Sequence, residues 1–238
     1  MKRHVLGIAA ALALSTAAAS AEEPRFLAQG TSTSPAAVEA APVYAPPRMG
    51  APKEVTAAAT RDPAPRADLV RLLAPNHTGL TLAEKPTLYM YIGEPGTLSV
   101  TLRSQSDLAG PALASGRIEI ATAPAIIPLS LAKLGASLRA GTGYVLNVAM
   151  YDPTGRVRGS DSTSLERITP PADIAQAASG KPLERARRYA AAGLWFDAMG
   201  ALGDAIATDP AMRAHRAAML DQIGMPSVAA FDRTAPRG

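Results

Sequence analysis

The chain has no cysteine, three histidines and a single tryptophan in 238 residues, and aromatic residues make up only 4% of it. Without cysteine there is no disulfide, no thiolate metal site and no lipid carried on a processed cysteine, so stability must come from an ordinary packed core. The scarcity of histidine narrows catalysis as well. Once the N-terminal His4 is set aside, His77 and His215 lie in separate regions, and no Gly-x-Ser-x-Gly elbow presents a serine to either. No histidine pair stands at helical spacing for zinc. Gly141-Thr142-Gly143 lacks the third glycine and the following helix of a phosphate loop. The expectation is therefore no catalytic constellation, no metal and no cofactor.

A long hydrophobic run is also missing. Lys2, Arg3 and His4 precede a ten-residue apolar core, Val5 to Leu14, which Ser15 and Thr16 interrupt well short of the roughly 20 residues needed to cross a bilayer. Small residues then lead to Ala19-Ser20-Ala21, the three-part layout of a secretory signal peptide cut between Ala21 and Glu22. The mature chain is expected in the periplasm or secreted, with no transmembrane segment. Removing Lys2 and Arg3 takes the basic residues from 24 to 22 against 20 acidic ones, a formal charge of +2. That excess is too small to argue for nucleic acid. Alanine-rich, arginine-over-lysine usage hints at a bacterium, where the Asn76-His77-Thr78 sequon would remain an unmodified loop.

Proline, by contrast, is plentiful at the start. Residues 22–67 hold prolines at 24, 35, 42, 46, 47, 52, 63 and 65 among small residues, with no period of 2 or 3.6. Such a segment is expected to be a disordered linker, because it cannot bury enough apolar surface to offset its ordering entropy. From 68 to 169 the pattern becomes short apolar runs between turn residues. Strands are predicted over 69–73, 87–92, 97–103, 117–121, 125–131, 144–151 and 162–168, with Pro128 marking an edge strand or a bulge. Asp152-Pro153-Thr154-Gly155 has the residues of a type I turn. About seven short strands in roughly 100 residues is the footprint of an immunoglobulin- or fibronectin-like β-sandwich. Leu138, Gly141 and Tyr144, three residues apart, have the spacing of a tyrosine corner. In it the leucine plugs the core, the glycine permits a tight turn and the tyrosine hydroxyl bonds back to that turn.

Beyond 169 the period changes to helical. A short helix is predicted over 173–179, a second starting at Pro182, a third ending near Thr208, and a last one capped by Asp209-Pro210 and stopped at Gly224. Ala186, Tyr189, Gly193, Trp195, Ala198, Leu202, Ala205 and Pro210 match the small and large positions of one tetratricopeptide-like helix pair. A single pair cannot form a solenoid, so it must dock on the sandwich or on another protein. Residues 226–238 are expected to be a disordered tail.

With these elements placed, the chain from about 45 to 225 resembles the bacterial exported domain of unknown function 928 family. The resemblance rests on "LLAPNHTGLTLAEKPTLYMYI", with Pro75, Gly79, Leu80, Thr81, Glu84, Pro86 and Thr87, on "SLERI", and on "YAAAGLWFDAM". It implies a signal peptide, a proline-rich lead, a β-rich middle and a helical end, and it carries no activity. Many relatives have cysteines that are absent here, which removes any disulfide or metal role from the comparison.

Three remaining features are candidates for binding. Asp152, Asp161 and Glu166 could converge to serve a glycosidase or hold calcium, but Asp152 and Asp161 are explained as turn residues and Glu166 as the exposed member of a strand. Tyr89 and Tyr91 share one strand face and could stack on a sugar, although a strand covered on that face by the helical tail has the same pattern. Arg185, Arg187, Arg188, Arg213 and Arg216 make the tail basic, as solvated helix faces commonly are. The leading expectation is an exported, non-enzymatic adaptor or structural protein whose partner is another envelope protein. A glycan or small-ligand module on the sandwich comes second and a hydrolase last.

Overall fold

In Thr87–Ile92, TLYMYI, the apolar Leu88, Met90 and Ile92 alternate with Thr87, Tyr89 and Tyr91, the pattern of a strand with two different faces. The same alternation recurs through most of the sheet residues. A computed structural model describes residues 39–47, 69–170, 174 and 179–235, and from Ala40 onward the chain forms one unit. The residues expected to form a signal segment with a junction at Ala21–Glu22, most of the expected linker and most of the helix expected at 173–179 lie outside the described residues.

Eight strands form two sheets. β1 (Val70–Leu72), β3 (Thr87–Ile92) and β6 (Ala125–Ser130) make a three-stranded sheet in the order β1-β3-β6. The second sheet has five strands: β2 (Gly79–Thr81), β4 (Gly96–Ser104), β5 (Ala114–Ile120), β7 (Thr142–Tyr151) and β8 (Val157–Arg167), in the order β2-β8-β7-β4-β5. Leu88, Met90, Ile92 and Leu129 from the first sheet are buried in one core with Leu98, Val100, Leu102, Leu146, Val148, Met150 and Leu165 from the second. This is a β-sandwich, and Pro128 sits on its edge strand β6, where a missing N–H is tolerated. The strand not anticipated from sequence is β2. Its three residues are all buried and pair in parallel with β8, too short a run to show any alternation.

Among the described residues four helices follow the sheets: α1 (Pro182–Ala191), α2 (Trp195–Thr208), α3 (Arg213–Gln222) and α4 (Pro226–Thr234), with a 3₁₀ turn at Pro210–Met212. Pro182 and Pro226 open their helices where a missing N–H costs nothing, and Asp209 caps the 3₁₀ turn through Ala211 N–H at 2.9 Å. Gly193, with φ +76°, ends α1 in a Schellman arrangement in which Leu194 N–H reaches the Tyr189 carbonyl at 2.9 Å.

Two expectations need correction. The disordered tail over 226–238 is instead helix α4 as far as Thr234, because Val228 and Ala229 are buried and Phe231 packs edge-on to Tyr91 at 5.3 Å. The linker expected over 22–67 is interrupted by residues 40–47, which lie against the helices. There Tyr44 is 7% exposed, its N–H donates to Gln222 Oε1 at 2.8 Å, and Ala45 N–H donates to the Ala190 carbonyl at 3.0 Å. Proline content concealed this, since one buried tyrosine and a few backbone bonds leave no periodic trace.

The helices lie on the outer face of β3 and on the edge strand β2. α2 approaches both closely: a Cβ at Gly203 would meet the Tyr89 hydroxyl oxygen at 1.7 Å, and one at Gly79 would meet the Phe196 ring at 2.6 Å. Trp195, fully buried at the first turn of α2, donates its indole N–H to the Leu73 carbonyl at 2.8 Å and takes the edge of Tyr44 at 4.9 Å. Trp195→Phe keeps an aromatic ring, smaller than the indole, but removes its N–H and strands a buried carbonyl. It should cost about 1–3 kcal/mol in urea unfolding, the range for an unsatisfied buried group.

Candidate functional site

The corner residues take the arrangement their spacing suggests. Leu138 is 1% exposed, Gly141 has φ +71°, a conformation that L side chains rarely adopt, and the Tyr144 hydroxyl accepts from the Arg139 N–H at 2.7 Å. This group fastens the chain where it enters β7 and carries no chemistry. Tyr144→Phe should lose about 1 kcal/mol of unfolding free energy, one net hydrogen bond. An unchanged denaturation midpoint would show that the bond contributes nothing.

The carboxylates suggested as a cluster do not converge. Asp152 is held in the β7–β8 turn by Thr154 and Arg156, and its hydrogen bond from the Thr154 hydroxyl keeps its acid below the usual range. Asp161 is a strand residue rather than a turn residue. It sits within β8, accepting from Leu72 N–H and Ser162 N–H at 2.8 Å each, with Arg71 Nε at 3.5 Å. It thereby stitches β1 of one sheet to β8 of the other. Glu166, five residues further on, falls on the opposite face of β8. Among the described residues no three His, Asp or Glu side chains gather closely enough to hold a metal ion.

Tyr89 and Tyr91 are beneath the helices and not on an open sugar-binding face. Arg216 of α3 lies 5.6 Å above the Tyr89 ring, and burial pushes the Tyr89 hydroxyl up from its ordinary value. Arg216 itself is a buried group, not part of a solvated basic face. Its Nε and Nη2 each reach Asp232 of α4 at 2.7 Å, a two-pronged ion pair inside the helical layer. The basic side chains that remain at the surface are largely engaged, Arg185 with Asp204 at 2.9 Å and Arg187 with the Ala40 carbonyl at 2.8 Å. In the helix pair, Ala186, Trp195, Ala198, Leu202 and Ala205 are buried, while Tyr189 is only partly covered.

That partly covered tyrosine points to a cleft sequence reasoning missed. Where α1 and α2 meet the β2–β3 loop, a hollow of about 300 Å³ is lined by Thr81, Lys85, Tyr89, Arg185, Tyr189, Asp197, Gly200 and Asp204. At its base Asp197 accepts from Leu82 N–H at 2.9 Å and also from Thr81 and Ala83. Burial outweighs these bonds and raises its acid from 3.8 to about 6. Asp197 thus fastens α2 to the loop and leaves a rim of mixed charge and tyrosine around the opening. Its sequence signal, an acid in the first turn of an apolar helix, is indistinguishable from ordinary helix-dipole placement.

A raised carboxyl has a definite sign in stability. Between pH about 4 and 6 the native state holds a proton that the unfolded chain has released, so stability falls as pH rises through that window and is flat above it. The titratable groups around Asp197 are Lys85, Tyr89, Arg185, Tyr189 and Asp204. On going from pH 4 to pH 7, the unfolding free energy of the parent should fall relative to that of Asp197→Asn by on the order of 2–3 kcal/mol in urea titrations. An equal pH dependence in both proteins would mean that Asp197 is ionised throughout.

Fold and site together define a β-sandwich protein with a helical C-terminal layer, mainly β, whose buried polar groups join its layers. The family model described as Domain of Unknown Function (DUF928) matches residues 56–231, and the chain belongs to that family. A search of curated proteins finds no match. Among solved structures, the chain is similar to the fibronectin(III)-like modules of Clostridium thermocellum CbhA at 15% identity. The match covers 42% of this chain and 98% of that one, with a TM-score of 0.26.

Proposed function

We propose that this is an exported, non-enzymatic adaptor of the bacterial envelope, cut after Ala21 and working in the periplasm or outside the cell. The proline-rich lead would join the sandwich-and-helix body to its surroundings. One observation carries the reading: the carboxylates that could have served a reaction, Asp161, Asp197 and Asp232, are each committed to joining two structural elements. What stays accessible is a rim suited to a partner, with Lys85 for acidic groups, the Arg185–Asp204 ion pair as a polar edge, and Tyr189 as a half-open aromatic surface. The partner is a protein segment seated in this cleft between the β2–β3 loop and the α1–α2 pair, which here plays the part of a tetratricopeptide-like hairpin docked on its own sandwich.

Because Trp195 and Phe196 are buried against the sheets, removing the helices would unfold the body and cannot test the idea. Gly200 offers a cleaner route. It lines the cleft, and a Cβ there meets nothing within 4 Å, so Gly200→Arg starts a bulky side chain at the opening from an unobstructed backbone position. After mild cross-linking in a native envelope extract, the parent protein should bring down a stoichiometric protein partner. Gly200→Arg should lose it with little change in melting temperature. Retention of the partner by the variant would remove the cleft from consideration.

A further inference from the structure

A second hollow, sharing no residue with the cleft, lies where the outer face of the five-stranded sheet meets its end turns. It encloses about 790 Å³ between Pro95, Gly96, Thr97 and Ser99 on one side and the β7–β8 turn on the other, with Arg117, Tyr151 and Arg158 around it. That volume is within the range of small-ligand sites. Its shape depends on a β-bulge. Met150 pairs with Gly159 but Tyr151 pairs with Val157, so Arg158 is the extra residue on β8. Bulges commonly re-aim side chains beside functional sites. Here the bulged residue Arg158 pairs with Glu94, while Tyr151, outward by the alternation of β7 and opposite in face to the buried Met150, is 38% exposed. The turn itself is stiff, since Asp152 accepts from Thr154 N–H at 2.8 Å and from Arg156 N–H at 2.9 Å.

The chemistry of the lining is selective. An accessible tyrosine ring offers a flat apolar platform with a polar tip, suited to the C–H face of a sugar ring. Short hydroxyls stand beside it at Ser99 and Thr97, although Thr97 is already donating to Glu119 at 2.9 Å. Arg117 is exposed and has no ion pair among the described residues, whereas Arg158 has Glu94. A neutral sugar would leave the Arg117 guanidinium unused. Single-stranded nucleic acid carries a charge about every 3.4 Å of strand and calls for a track of free cations. This groove has one free guanidinium, with Glu94, Glu119 and Asp152 close by. One carboxylate per sugar unit or two matches that single cation, which can hold it with a two-pronged bond.

We infer that the Tyr151–Arg117 groove is a binding site for an acidic glycan, with a pyranose ring lying on Tyr151 and a uronic-type carboxylate paired to Arg117. This goes beyond the adaptor reading, because it gives the sandwich a ligand of its own while the helical side keeps a protein partner.

Calorimetric titration of the full chain with oligogalacturonate and alginate oligosaccharides tests it, with cello-oligosaccharide of equal length as the neutral control and single-stranded DNA as the rival polyanion. The expected result is saturable binding to an acidic oligosaccharide. It should weaken roughly tenfold or more in Tyr151→Ala and in Arg117→Gln, fall with added salt, and be unchanged in Gly200→Arg. Both altered side chains are at the surface, so matching melting temperatures will show that the fold is intact. Four results would overturn the inference: no saturable binding to either acidic glycan, equal binding to the neutral one, tighter binding to DNA, or binding indifferent to both substitutions. Since Gly200→Arg serves as the control here, failure of this site is distinguishable from failure of the cleft.

Discussion

Much of the structure depends on where one indole sits. Trp195 is the only tryptophan, it opens α2, and its N–H meets the carbonyl of Leu73 just past the end of β1. A buried carbonyl without a donor costs as much as a hydrogen bond lost, so this contact fixes the start of the helix against the edge of the sheet. Once α2 is anchored there, Asp197 two residues on reaches the Leu82 N–H, Gly203 passes over the Tyr89 hydroxyl, and Tyr44 closes the other side of the indole. The lead segment, the sandwich and the helices therefore share one joint.

The polar groups inside the molecule follow the same logic. Asp161 joins the two sheets, Asp197 joins α2 to the β2–β3 loop, and Asp232 joins α4 to α3 through Arg216. Burial raises the acids of both Asp161 and Asp197, a feature that elsewhere marks catalytic groups. Here each carboxylate already accepts from backbone N–H groups, which is the work of a fastening. The molecule's buried acids are thus committed to joining its layers. The two hollows differ accordingly: one has a rim of both charges beside the helices, the other a free arginine and an open tyrosine on the sheet.

Several surfaces are closed by neighbours that no local pattern announces. The outer tyrosines of β3 illustrate this. Alternation in TLYMYI required that Tyr89 and Tyr91 face away from Leu88, Met90 and Ile92, and they do, but what they face is Arg216 and Phe231, more than 120 residues later in the chain. Arg216 in turn has the sequence setting of one more solvated cation on a basic helix, yet it is buried against Asp232.

Periodicity, turn chemistry and the Leu138-Gly141-Tyr144 spacing were enough to determine a β-sandwich followed by helices, because strand faces, glycine turns and helix ends are properties of a few consecutive residues. Even the place where α1 stops was legible, since Gly193 alone supplies the positive φ. Tertiary structure decided what three-residue β2 pairs with, that Phe231 makes a helix worth forming after Pro226, that Tyr44 is core, and that β8 carries an extra residue opposite the end of β7. Each of these depends on a partner far away in sequence, whose contribution is burial or a hydrogen bond, and neither leaves a mark on the segment that receives it.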